Sequence, residues 1–173
     1  SDAILEQKEG KWVIKGDPTE GALVVAAVKA GFHETEMRLE NPRIEEIPFS
    51  SERKRMTTIH QMKDGKRMAF VKGAPEVVLD RCTHLLDEDG IHVLSLAKRT
   101  EILKQNEEMA DEALRVLGFA YRECPDAIEC NEEHLERDLI FLGLAGMIDP
   151  PRKEAIEATK VCKQVGIKPI MIT

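Results

Sequence analysis

A lysine directly after an apolar stretch is the residue best suited to chemistry in this sequence. Lys72 follows the letters AFV and precedes GAPE. The apolar stretch predicts a strand, Gly73 tolerates unusual dihedral angles and close approach, and Pro75 suits the first turn of a helix. A cation beside a helix N-terminus favours a phosphate-bearing ligand. The alternative interpretation is an ordinary strand-to-helix turn with a surface lysine.

A second candidate set joins one aromatic residue to three cations. Phe49 opens the letters FSSERKRM, in which Arg53, Lys54 and Arg55 are consecutive. The ring of Phe49 could stack on a nucleobase for about 1–3 kcal/mol, and a cation five residues later could contact phosphates. The alternative has Phe49 in the core and the cations on a solvated turn.

Two further segments carry charged side chains whose local setting can be predicted. Glu20 lies in the letters GDPTEGAL, where Asp17 fits the N-cap of a helix and Glu20 would close a capping box. A carboxylate has lone pairs enough to accept further hydrogen bonds. In the predicted strand over residues 115–122, alternation places Arg115, Leu117 and Phe119 on one face.

Periodicity and turn residues predict the elements that hold these side chains. The expected strands cover residues 12–14, 44–49, 56–62, 67–71, 91–94, 115–122, 140–147 and 167–173, with a hairpin turn at Asp64-Gly65. The expected helices cover residues 18–30, 75–81 and 96–114, with a short one within 124–138 and one capped by Asp149 that runs to residue 165. These elements predict an α/β chain, meaning one of mixed helix and strand content, arranged like the α+β proteins. Residues 1–148 would form an antiparallel sheet flanked by helices, and residues 149–173 a helix-strand piece of a parallel α/β domain.

Composition limits the classes of function. The 173 residues carry a net charge of −7, which argues against a nucleic-acid binder. The four cysteines form no C-x-x-C pair, so we expect free thiols and no metal site. The longest apolar run, residues 139–148, is too short to span a bilayer. The chain begins without methionine and stops in a predicted strand, so we expect a soluble piece of a longer protein.

Five segments resemble the P-type ATPases, the ATP-driven cation pumps, in the family's order. They are the letters GDPTEGAL, FSSERKRM, VKGAPE, LRVLGFAYR and DPPR. The spelling is most similar to the second-type pumps, above all the calcium branch. The resemblance covers nearly the whole chain and implies the nucleotide-binding domain over residues 1–148. A truncated start of the phosphorylation domain would follow over residues 149–173.

The resemblance also implies roles for individual residues. Phe49 would stack on adenine, Glu20 would accept a hydrogen bond from the adenine amino group, and Leu117 would line the pocket. Lys72 would border that pocket, Gly73 would let the nucleotide approach, and Lys54 and Arg115 would face the phosphates. The implied hinge consists of Asp149, Pro150, Pro151 and Arg152, and Thr173 would lie at the edge of the phosphorylation domain.

The implied activity belongs to a larger enzyme, a hydrolase and translocase at the cytoplasmic face of a membrane. The phosphorylated aspartate of the family's DKTGTLT motif is not in this sequence, so the chain has no catalytic residue and is not expected to turn over ATP. Its partners would be ATP and the pump's phosphorylation, actuator and membrane domains. Magnesium would be held outside this chain, and ATP binding would be weak and independent of it.

Three alternatives remain open. One is a proton- or sodium-transporting pump of the same type, since the ion-selecting residues would lie in membrane helices elsewhere. A second is an interaction module without a ligand. A third is a self-contained phosphotransferase or hydrolase, which would need a metal site or a nucleophile with a positioned base.

Overall fold

The computed structural model describes residues 1–8, 10–125 and 131–170, and these form nine strands and six helices. The strands are β1 (Ile4–Lys8), β2 (Lys11–Lys15), β3 (Arg43–Ser50), β4 (Arg55–Gln61), β5 (Arg67–Gly73), β6 (Cys82–Asp87), β7 (Gly90–Val93), β8 (Arg115–Cys124) and β9 (Leu139–Met147). The helices are α1 (Pro18–Lys29), α2 (Glu34–Glu40), α3 (Pro75–Asp80), α4 (Leu96–Asp111), α5 (Glu132–Leu135) and α6 (Lys153–Gln164).

Seven strands form one sheet in the order β3-β4-β5-β8-β9-β6-β7, and β1 pairs with β2 in a separate hairpin. Neighbouring strands of the sheet are antiparallel except for the parallel pair β6 and β9. The predicted antiparallel sheet flanked by helices is therefore confirmed. β1, β6 and α2 were not predicted, because their polar residues mask the periodicity on which such predictions depend.

The core lies on one face of this sheet. α3 and α4 pack there around a cluster that includes Val71, Val78, Leu79, Leu139 and Phe141. A smaller cluster joins Ile59, Ala69, Cys124 and Leu135. Side chains alternate along a strand, so the neighbours of these residues on β4, β5 and β8 face away from α3 and α4. That second face holds the candidate site.

Several local predictions about turns and caps are confirmed. Asp17 is the N-cap of α1, and Gly31 follows that helix with a φ of 88°. Gly65 has a φ of 87° in the turn between β4 and β5. Gly166 has a φ of 79° after α6. Glycine suits each position because a residue with a side chain would be strained at a positive φ.

Two predictions about the last segment are wrong. Asp149 does not cap a helix: α6 begins at Lys153, and its N-cap Arg152 makes no side-chain capping bond. The two intervening prolines explain the delay, because a residue before proline is biased away from helical dihedrals. Residues 167–170 form no strand, and no strand in the described part of the chain pairs with them. The rest of that predicted strand, including Thr173, lies outside the described residues.

No helix within residues 1–8, 10–125 and 131–170 is both long and apolar enough to cross a membrane. Cys82, Cys124 and Cys162 are free thiols, as expected. Cys130 lies outside the described residues.

Candidate functional site

Lys72 is held near the end of β5 and pairs with an acid from another element. Its neighbour Val71 is 1% exposed in the main core, which turns Lys72 to the opposite face of the sheet. There the Lys72 ammonium meets the Glu20 carboxylate at 2.5 Å, and both side chains are 17% exposed. The pair is thus screened from water on most sides, and it attaches the first turn of α1 to the sheet.

The first turn of α1 positions Glu20. The Asp17 carboxylate accepts hydrogen bonds from the backbone N–H groups of Thr19 and Glu20 at 2.8 and 3.1 Å. The predicted capping box is wrong in its second half, because Glu20 Oε2 accepts the Asp2 N–H at 2.6 Å while Oε1 accepts from Lys72. The carboxylate is drawn to these long-range donors instead of its own helix end. Burial would raise the pKa of Glu20, but the bonds from Lys72 and Asp2 outweigh it and leave the pKa lowered.

A second bond joins the same helix turn to β8. Arg115 is the first residue of β8, and its Nη1 donates to Thr19 Oγ1 at 2.9 Å. Thr19 was not among the predicted site residues, although its place beside Glu20 in the first turn was a usable signal. Three residues from distant parts of the sequence, Glu20, Lys72 and Arg115, are therefore gathered at one helix end.

Strand register brings more of the predicted residues to this end of the sheet. Lys72 lies opposite Met56 on β4 and opposite Phe119 on β8. Leu117 is two residues from Phe119, on the same face by alternation. Phe119 was noted for its face but not named as a site residue, and its place across from Lys72 makes it a further candidate.

Phe49 lies at the end of β3, next to Ser50, which pairs with Arg55 of β4. Its side chain is 60% exposed, so the alternative that placed Phe49 in the core is wrong. An aromatic ring that the fold leaves in water at this edge is free to stack on a planar ligand.

Gly73 and Lys54 meet at the turn after β3. A Cβ built on Gly73 would lie 2.4 Å from the Lys54 carbonyl oxygen and 2.6 Å from Arg55 Cβ. The adjacent Ala74 N–H donates to the same Lys54 oxygen at 2.9 Å. Glycine is thus required here by the close approach of two backbone segments, whatever a ligand adds.

A cavity of about 620 Å³ lies further along this side of the molecule. Its lining includes Val24, Phe32, Met37, His60 and Phe70, from α1, α2, β4 and β5 and the turn between the helices. It is mostly apolar, and the predicted ATP-binding residues are not among those that line it. The candidate site is instead the open edge where α1 meets the sheet.

Residues 149–152 are exposed and lie between β9 and α6. Within the ranges that the structure describes, no group of three His, Cys, Asp or Glu residues could hold a metal ion.

Comparison with known proteins gives a consistent result. The family model described as P-type ATPase, cytoplasmic domain N, matches residues 1–154. The chain is 40% identical over 173 residues to a calcium-transporting ATPase of Bacillus subtilis, covering 100% of this chain and 19% of that protein. It is 44% identical over 174 residues to the cation-transporting ATPase pma1 of Synechocystis, with the same coverage.

A third relative is the calcium-transporting ATPase 1 of Bacillus cereus, 43% identical over 158 residues, covering 91% of this chain and 18% of that protein. The chain thus spans about a fifth of the length of these relatives, whose remaining parts have no counterpart in it.

Proposed function

The chain belongs to the P-type cation-transporting ATPases, as part of their cytoplasmic domain N, and from this premise we propose that its site binds ATP and presents the γ-phosphate to an aspartate elsewhere in the pump. The observation that carries the proposal is the Lys72–Glu20 ion pair, 52 residues apart in sequence. It joins Lys72, at the strand end just before the letters GAPE, to Glu20, in the helix start just after the letters GDPT. These are two of the segments that resemble the family's nucleotide motifs.

The proposed roles follow from the chemistry of the side chains. Phe49 stacks on adenine, Leu117 covers one side of it, and Glu20 accepts from its amino group. Lys72 borders the base, Gly73 lets the nucleotide come close, and Lys54 and Arg115 meet the phosphates through charge-assisted hydrogen bonds.

ATP binding would share or displace existing contacts. Glu20 and Arg115 already have partners within the chain, and the carboxylate and the guanidinium each have further hydrogen-bonding capacity for the nucleotide. One stacked base and a few exposed phosphate contacts, less the cost of association, give an expected dissociation constant of roughly high micromolar to millimolar. We propose that this binding needs no magnesium, and that the magnesium of the whole pump is held by residues outside this chain.

Delivery of the phosphate would depend on the junction after β9. We propose that residues 1–148 form the nucleotide-binding unit and that the exposed residues 149–152 form the hinge to the phosphorylation domain. Two consecutive prolines restrict the backbone of that junction. The chain would supply position, and the chemistry would occur on an aspartate of the adjoining domain.

The cargo of the whole pump is proposed to be calcium, as the names of two relatives suggest. A proton- or sodium-transporting pump is the alternative. Measurement of ion-stimulated ATPase activity in the full-length protein, with calcium, sodium and neither ion, separates them.

Titration of the 173-residue chain with ATP, followed by backbone amide NMR, tests the site. ATP should shift the amides of residues near Glu20, Phe49, Lys72 and Arg115. GTP should shift them less, because guanine carries a carbonyl oxygen at C6, where adenine carries its amino group. Phe49→Ala should weaken ATP binding, and Phe32→Ala, at a residue with a similar exposure of 54%, should not. No amide shift at millimolar ATP would overturn the proposal and favour an interaction module.

A further inference from the structure

Glu136 is a charged residue buried in the fold without a role in the proposed ATP contacts. It follows α5 directly, is 1% exposed, and accepts hydrogen bonds from three side chains. Arg53 Nη1 donates to both carboxylate oxygens at 2.7 and 2.9 Å, Arg55 Nε donates at 2.6 Å, and Thr57 Oγ1 donates at 2.6 Å. A buried carboxylate persists when its charge is paired and its lone pairs are occupied, and both conditions are met here.

The two arginines flank Lys54 in sequence. Lys54 has a φ of 51°, a left-handed conformation that residues with a side chain adopt at a cost in free energy. Its N–H donates to the Ser50 oxygen at 2.8 Å, and its own oxygen accepts from Ala74. Because the residues on both sides are bound to Glu136, the backbone of Lys54 is held in this conformation, and this fixes the direction of its Cα–Cβ bond.

Arg53 links Glu136 to the backbone beside Phe49. Its Nη2 donates to the carbonyl oxygen of Pro48, the residue just before Phe49. Its Nε also pairs with Glu132 of α5 at 3.0 Å. One guanidinium therefore ties the backbone beside the aromatic ring to the buried carboxylate.

Arg122 of β8 holds the backbone on both sides of Glu136. Its Nη1 donates to the backbone oxygens of His134 and Arg137 at 2.9 and 2.8 Å. These residues lie on either side of the Leu135–Glu136 pair. The segment that bears Glu136 is thus fastened to the central sheet, so that Glu136 joins the sheet to the turn over residues 50–54.

From these contacts we propose that Glu136 is a positioning residue for the nucleotide: it holds the 50–54 turn so that Phe49 and Lys54 face the bound ATP. This inference rests on the proposed function. Glu136 touches no ligand, and it acts through Arg53 and Arg55. Without Glu136, Phe49 and Lys54 would still be present, but they would be displaced from the positions in which they stack on adenine and contact a phosphate.

Glu136→Gln tests this in the 173-residue chain by the dissociation constant for ATP. The amide keeps the shape but loses the charge that pairs both arginines, and misdirected stacking and phosphate contacts should raise the dissociation constant about ten-fold. Ile102→Ala is the matched control, because Ile102 is 6% exposed in the main core. Ile102→Ala should lower stability without disturbing the 50–54 turn, and the affinity for ATP should stay within about two-fold of that of the unsubstituted chain. Equal weakening by both variants would overturn the inference.

A double-mutant cycle separates positioning from general support of the fold. If Glu136 acts through the stacking of Phe49, Glu136→Gln should raise the dissociation constant for ATP by less than about three-fold in a Phe49→Ala background. A full ten-fold effect in that background would overturn the positioning role.

Arg53→Gln provides a second variant if Glu136→Gln does not fold. Glu136 keeps Arg55 and Thr57, while the bond to Pro48 and two bonds to the carboxylate are lost, so ATP binding should weaken about five-fold. Unchanged affinity would overturn the inference while the proposed function stands. Failure of the unsubstituted chain to bind ATP would overturn both.

Discussion

The ammonium of Lys72 and the carboxylate of Glu20 form an ion pair between β5 and α1, in a site where both side chains are 17% exposed. The pair connects the end of the sheet to a helix start. It also means that the two residues proposed to border adenine are in contact before any ligand arrives. An adenine that enters must share or displace this contact.

The first prediction concerns the pH dependence of stability. The folded-state pKa of Glu20 lies below its ordinary value of 4.5, so its stabilising contribution is present above that value and is lost as pH falls through the folded pKa. Glu20→Gln should therefore lower the free energy of unfolding by about 1 kcal/mol at neutral pH. The difference from the unsubstituted chain should shrink below pH 4.5. Urea unfolding between pH 3.5 and 7 measures it.

Lys72→Met serves as the control for that experiment, because it removes the same ion pair from the other side. In the Lys72→Met background, Glu20→Gln should produce a smaller change in the free energy of unfolding at neutral pH. An undiminished effect would assign the contribution of Glu20 to its bond with Asp2.

The second prediction concerns Gly73→Ala. The added methyl group would lie 2.4 Å from the Lys54 oxygen, so the turn must move, at a cost of about 1–3 kcal/mol in the free energy of unfolding. ATP binding should weaken as well, because the displaced turn carries Lys54. Thermal unfolding and ATP titration report the two effects.

Gly31→Ala is the matched substitution, since Gly31 has a φ of 88° and nothing within 4 Å of a built Cβ. It should cost about 1 kcal/mol of stability through backbone strain and leave ATP affinity unchanged. A similar loss of ATP affinity in both variants would contradict the contact-based explanation.

The third prediction concerns stacking at Phe49. Because the ring is 60% exposed, Phe49→Ala should change the free energy of unfolding by less than about 0.5 kcal/mol. ATP binding should lose about 1–3 kcal/mol. Isothermal titration with ATP and adenosine should show the loss for both ligands, whereas a loss confined to ATP would place the phenylalanine near the phosphates.

The fourth prediction concerns thiol reactivity. Burial raises the pKa of Cys82 to about 12 and also raises the pKa of Cys124. The thiolate is the reactive form, so both should resist iodoacetamide at pH 8 in the folded chain. Cys162 is half-buried at the surface of α6 and should react before Cys82 and Cys124. Mass spectrometry of peptides after timed labelling gives the order, and rapid labelling of Cys82 in native buffer would contradict it.

Local signals in the sequence were enough to predict most of the fold. The hairpin turn at Gly65, the N-cap at Asp17 and the glycine at position 31 are each decided within a few residues, because they depend on dihedral preference and nearby hydrogen bonds. The motifs that resemble the P-type ATPases are also continuous stretches, and the comparisons bear out that membership.

The tertiary structure decided how those stretches meet. Glu20 would close a capping box if its helix were alone, but the packing of α1 against the sheet gives it Lys72 and Asp2 instead. Glu136 had no sequence signal, because its donors Arg53, Arg55 and Thr57 lie 79 to 83 residues away. Contacts of that span depend on the sheet order and register of the entire core, which no local pattern encodes.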